Sequence, residues 1–277
     1  AWLARDLAGN VAGLAAGVIV ALDPQLAFSS ASGMEVPLAT TCVLGVLVAL
    51  KKKLGWLAGL LLGLSFLARP ETAVLAVVFV PLAVVSIRDR RLSLVSTLIG
   101  LALGAAVVLP YLLHCHSVTG HWLPNTFYVK SGLTLDPTAG LWVFVRGVLF
   151  PSLFMSFGAG IGLYALGLQK QLSKKTPFVL ALLATPWVLL LAVVLSRQLP
   201  VEEAETFYFT RYLHPLLPFL AIFIGCGIGS LAGRMEKQVK KRRKKEKKTR
   251  AKPTLSIVAA GLLDVHVLAC LTCPDGG

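Results

Sequence analysis

The chain has 277 residues, of which 56% are hydrophobic and 14% charged, with a formal net charge of +14 and a mean hydropathy of +0.77. A water-soluble domain of this size carries far more polar surface, so that class is excluded. The apolar residues fall in blocks of about 15 to 25, the length an α-helix needs to cross ~30 Å of hydrocarbon. An all-α, polytopic transmembrane helix bundle is the predicted fold class.

In chain order, spans are expected at 7–22, 33–50, 54–68, 73–87, 92–113, 147–168, 177–196 and 209–232, with a ninth at 254–271, giving about 8–9 crossings. The segments 54–68 and 73–87 are short, and Pro81 interrupts the second. The alternative for that pair is a tight hairpin that does not reach both surfaces. Small residues in "VAGLAAGVIVAL" and "GLLLGLSFLA" allow close helix approach and favour a packed bundle. The segment 254–271 is the least regular span, because Asp264 and His266 fall within it. The chain therefore divides into a helical core at 1–232, a basic segment at 233–253, and a further span with its tail at 254–277.

Lys and Arg in short loops concentrate on the cytoplasmic side of a membrane. With residue 1 on that side, alternate loops hold Arg5, "KKK" at 51–53, "RDRR" at 88–91, Lys170, "KK" at 174–175 and the run from Arg234 to Lys252, which is 22 of the 27 basic residues. The opposite face keeps Arg69, Lys130, Arg146, Arg197 and Arg211. The run at 234–252 reads as an anchor for anionic membrane lipids, each cation contributing about 1 kcal/mol near the surface. It lacks the interleaved aromatics and folded module expected of a nucleic-acid site, so no nucleic-acid partner is expected.

Charge is scarce on the face expected outside, and several of its ionisable residues sit at helix ends: Glu35, Arg69, Glu71 and Arg211. A cavity lined by Arg, Lys and carboxylates suits a ligand with phosphate and hydroxyl groups. Guanidinium matches phosphate oxygens, and a carboxylate can accept a hydroxyl proton. The competing reading pairs Arg69 with Glu71 directly and sends the other arginines to lipid headgroups. In the loop "GHWLPNTFYVKSG" at 120–132, Phe127 and Tyr128 suit the headgroup level, while Lys130 is the informative residue on so weakly basic a face.

Four stretches, "SGMEVPL" at 32–38, "GLLLGLSFLARPE" at 59–71, "HWLPNTFYVK" at 121–130 and "TRYLHPLLP" at 210–218, resemble core motifs of bacterial GT-C glycosyltransferases. These are polytopic arabinofuranosyltransferase- or mannosyltransferase-like enzymes that use polyprenyl-phosphate-linked sugars, and the likeness covers most of 1–232. The resemblance implies an integral-membrane hexosyl- or pentosyltransferase of the cytoplasmic membrane with an extracytoplasmic active face. Its partners would be a polyprenyl-phosphate sugar donor and a glycan, lipid or protein acceptor. It implies phosphate contact for Arg69, Lys130 and Arg211, and sugar-contacting or loop-ordering roles for Asn125, Tyr128 and Tyr212. Enzymes of this type place a catalytic acid in the first outer loop, a region that the resemblance places upstream of residue 1, so an N-terminally truncated fragment is expected. Glu35 and Glu71 are the available catalytic carboxylates, expected to support the site more than to act as base.

No dedicated metal site is expected. His114, His116 and His121 lack a second ligand cluster, and "CLTC" at 270–273 lacks a thioredoxin-like context. A divalent cofactor, Mg²⁺ or Mn²⁺, held between carboxylate and substrate phosphate is compatible with the residues, but nothing selects it. The alternative function is a transporter or flippase of lipid-linked sugars, which would need polar groups at mid-depth that these spans largely lack. The third option is an inactive fragment.

Overall fold

The computed structural model describes residues 1–33, 35–123, 159–173, 176–196 and 214–271. Among them no strand occurs. The chain starts with α1 (Trp2–Ala8), α2 (Asn10–Ala21), α3 (Pro24–Ala31), α4 (Val36–Lys51) and α5 (Gly55–Ala68). A 3-10 segment (Pro70–Leu75) then leads into α6 (Ala76–Arg88), and α7 (Leu94–Thr119) follows. After these come α8 (Ala159–Leu172), α9 (Pro177–Ser196), a 3-10 turn (His214–Leu216) and α10 (Leu217–Leu271).

Three helical stretches are long and apolar enough to cross a membrane: Pro70–Arg88, Leu94–Thr119 and His214–Lys244, with mean hydropathy of 2.1, 2.0 and 2.0. Of the eight to nine expected spans, these three are long enough among the described residues, and Asn10–Ala21, Val36–Lys51, Gly55–Ala68 and Pro177–Ala192 are shorter apolar helices. The first expected span, 7–22, is broken at Gly9, whose φ of 93° is a conformation L side chains rarely adopt. This leaves α2 with 12 residues, about 18 Å of helix. The second is preceded by the separate α3, whose first turn is fixed by Asp23 Oδ1 accepting the Leu26 N–H at 2.9 Å. The hairpin partner expected at 73–87 is extended by its 3-10 entry to 19 residues. Most of the span expected at 147–168 lies outside the described residues, and the segments 233–253 and 254–271 both belong to α10.

The chain forms two compact units, 1–230 and 231–277. In the first, glycine sets how closely helices pack. Gly55, Gly59 and Gly63 recur every fourth residue along α5 and meet Gly100 and Gly104 of α7. A Cβ on Gly59 would lie 2.2 Å from the Gly100 carbonyl carbon, so only hydrogen fits there. Gly225 and Gly229 of α10 meet Ala12 and Ala16 of α2 in the same way. Around these contacts a buried core gathers Leu47, Leu75, Phe79, Leu182, Phe219 and Phe223. The outward faces of α6 and α7 stay apolar and exposed, with Val77, Val80, Val95, Leu98, Leu109 and Leu113 among them. Such faces are stable only against hydrocarbon or another apolar surface.

The up-and-down course of α4 and α5 gives the first unit two chemically different ends. At one end, Lys51 pairs with Asp6 and lies 4.7 Å from the Phe178 ring centroid, and Lys52 lies 5.1 Å from that of Trp2. Lys53, Asp89 and Arg91 join Asp6 and Lys51 around a cavity of about 340 Å³ at this end. The charged residues near Arg5, at 51–53 and at 88–91 thus share one end of the first unit. The start of α4, the end of α5 and the 3-10 entry to α6 share the other.

Candidate functional site

That second end carries the polar cluster. Helix α5 stops at Ala68 because Pro70 disfavours helical geometry in the residue before it, and Arg69 is extended at φ −150°, ψ 110°. The 3-10 segment starting at Pro70 turns the chain at once. This places Arg69 and Glu71 side by side, with Arg69 Nη2 3.4 Å from Glu71 Oε1. Both side chains are buried, at 4% and 6% exposure. Glu35, immediately before α4, brings its Oε1 to 4.0 Å from Arg69 Nε and remains 46% exposed.

The backbone beneath this pair is also tied down. Thr72 Oγ1 donates to the Arg69 carbonyl at 2.8 Å and bonds Ser65 Oγ at 3.2 Å, while Ser65 Oγ donates to the Leu62 carbonyl at 2.8 Å. Thr72 and Ser65 are buried and satisfied, so they hold the turn rigid and add no reactive group.

Within reach of Arg69, His214 is 6% exposed, and Ser29 is fully buried. Ser29 Oγ and His214 Nδ1 are 2.9 Å apart, linking α3 to the chain entering α10 across 185 residues. Among the described residues, His214 Nε2 is buried with no hydrogen-bond partner, and Arg69 is near enough to act on the ring electrostatically. Sequence reasoning did not select Ser29 or His214. The only local signal was a histidine inside "TRYLHPLLP", in the midst of apolar residues.

An apolar cavity of about 270 Å³ adjoins the same two elements. It is lined by Val18, Leu22, Leu26, Leu217, Leu220 and Ile224, with Asp23 at its edge. Helix α3 thus contributes Leu26 to the groove and Ser29 to the cluster, and the chain entering α10 contributes Leu217 to the groove and His214 to the cluster.

The structure therefore brings Glu35, Arg69 and Glu71 together, three residues singled out in the sequence. Asn125, Tyr128, Lys130, Arg211 and Tyr212 lie outside the described residues. His116 stacks on Trp122 with ring centroids 4.4 Å apart, while Cys115 between the two histidines is buried. No group of three or more His, Cys, Asp or Glu side chains that could hold a metal occurs among the described residues.

No family model, curated protein or solved structure matches this chain. What the site does must be argued from its own chemistry.

Proposed function

We propose that the chain is the membrane body of a glycosyltransferase that moves a sugar from a polyprenyl-phosphate donor to an acceptor at the extracytoplasmic face. One observation carries this reading: a buried polar cluster and an apolar groove are built on the same two elements, α3 and the entry to α10. That arrangement suits an amphiphile whose hydrocarbon chain lies along Val18, Leu22 and Ile224 while its polar head meets Glu35, Arg69 and His214. The sequence likeness to GT-C enzymes in four ordered motifs supports the same class of ligand.

In the reaction, the bond between the sugar anomeric carbon and the phosphate oxygen breaks as a bond to the acceptor hydroxyl oxygen forms. The acceptor proton passes to a carboxylate, and the lipid phosphate departs with the electron pair. Glu35 is the accessible carboxylate of the cluster, and Glu71 is held inside by Arg69. Cations near the departing phosphate stabilise charge that grows in the transition state, and the resemblance assigns that contact to Arg69, Lys130 and Arg211. Were a divalent cation to take part, Glu35 would be the carboxylate to hold it, and the ion would offset the charge of the leaving phosphate.

The test is sugar transfer from a radiolabelled polyprenyl-phosphate donor by the full gene product in membranes, with Glu35→Gln and Lys130→Ala alongside. The reading predicts transfer by the unmodified protein and a loss of at least a hundredfold in Glu35→Gln. Donor binding without transfer by the unmodified protein would instead favour translocation of lipid-linked sugars.

A further inference from the structure

His214 poses a specific chemical question. A neutral imidazole has one N–H donor and one acceptor nitrogen, and the partner of one nitrogen fixes the role of the other. The Ser29 hydroxyl makes its one recorded hydrogen bond among the described residues with His214 Nδ1. A buried hydroxyl that gave its proton to nothing would be costly, so we assign the Ser29 proton to Nδ1 as acceptor and the ring proton to Nε2. A buried N–H is thus left without a partner within electrostatic reach of Arg69, whose Nε lies 4.0 Å from Glu35 Oε1. Burying a donor unpaired is costly, so a group absent from the chain itself should complete it.

The charge of the cluster indicates what that group is. Among the described residues, the Glu35 and Glu71 carboxylates outnumber the Arg69 guanidinium that both approach. An anion such as phosphate would meet a site whose cation is already engaged. A hydroxyl suits it, because its oxygen accepts from Nε2–H while its proton is donated to a carboxylate.

We propose that His214 Nε2–H and the Glu35 carboxylate form a hydroxyl-recognising pair for the sugar, a donor and an acceptor flanking Arg69. This rests on the transferase reading and refines it. Arg69 becomes a positioning residue that holds Glu71 and Glu35, and the donor phosphate binds elsewhere along the same face. Ser29 positions the imidazole and fixes its tautomer.

The test uses the full gene product in nanodiscs with ¹⁵N-labelled histidine. The probes are methyl arabinofuranoside, methyl mannopyranoside, methyl glucopyranoside and, separately, inorganic phosphate. At least one glycoside should shift the His214 Nε2–H resonance, and phosphate should leave it in place. His214→Phe, which keeps a ring without the N–H, should weaken binding of that glycoside at least tenfold. His214→Gln, which offers an amide N–H near the Nε2 position, should recover part of the loss. If phosphate alone moves the resonance, or His214→Phe folds and binds every glycoside as the unmodified protein does, the inference is overturned. Should His214→Phe fail to fold, the resonance of the unmodified protein decides. Glycoside binding through His214 without sugar transfer would remove the transferase reading and leave the sugar site standing. Transfer with an unchanged sugar KM in His214→Phe would do the reverse.

Discussion

Arg69 shows how much one buried residue can decide. At 4% exposure it is stabilised by Glu71, itself 6% exposed and 3.4 Å away, and by Glu35, which approaches from the start of α4. Removing one member of a buried pair leaves the other charged and unsolvated, which typically costs 3–5 kcal/mol, whereas replacing both costs far less. Arg69→Met should therefore lower the thermal unfolding midpoint sharply, and adding Glu71→Gln should restore much of it. Equal, additive losses in this double-mutant cycle would mean that the two groups do not depend on each other. Glu35 is 46% exposed, so Glu35→Gln should leave the midpoint nearly unchanged while sugar transfer falls. The Arg69–Glu71 pairing was legible in the sequence, because two opposite charges around a proline in a short turn have few other places to go. The Ser29–His214 bond was not, because partners 185 residues apart leave no local pattern and each stands among apolar neighbours.

At the scale of elements, the contact between α5 and α7 packs the helix that ends at Arg69 closely against its neighbour. It depends on the absence of side chains at Gly59, Gly63, Gly100 and Gly104. Gly59→Leu would drive carbon atoms into the Gly100 backbone, and overpacking of this kind costs 1–3 kcal/mol or more. Gly162 of α8 has nothing within 4 Å of its Cβ position, so Gly162→Ala should be neutral or slightly stabilising through helix propensity. Unfolding midpoints of the two variants in the same detergent compare these expectations directly; equal shifts would contradict the close α5–α7 contact. The spacing of the α5 glycines was readable from "GLLLGLSFLA", but their partner helix was not. Hydropathy also located most of the apolar blocks among the described residues, but it ran the first of them through a break. A window average does not register a single residue such as Gly9, whose backbone ends one helix and starts another.

At the scale of the whole chain, the described residues are helical and include three stretches able to cross a membrane. Within the first unit, the loops rich in Lys and Arg gather at one end and the Glu35–Arg69–Glu71–His214 cluster at the other. Charge asymmetry of this kind orients helices in a bilayer, so the two ends should face opposite compartments. Ser32→Cys and Lys53→Cys, each in a chain lacking Cys270 and Cys273, should react with a membrane-impermeant maleimide from opposite sides of sealed vesicles. Labelling of both from the same side would contradict the arrangement. The most direct measurement of the central claim combines this sidedness with chemistry: sugar transfer in sealed, right-side-out vesicles supplied with a radiolabelled polyprenyl-phosphate sugar in the outer leaflet, comparing the unmodified protein with Glu35→Gln. The account predicts rapid transfer to an acceptor on that face and a loss of at least a hundredfold in the variant. Transfer that is absent, or equal in the two proteins, would contradict it.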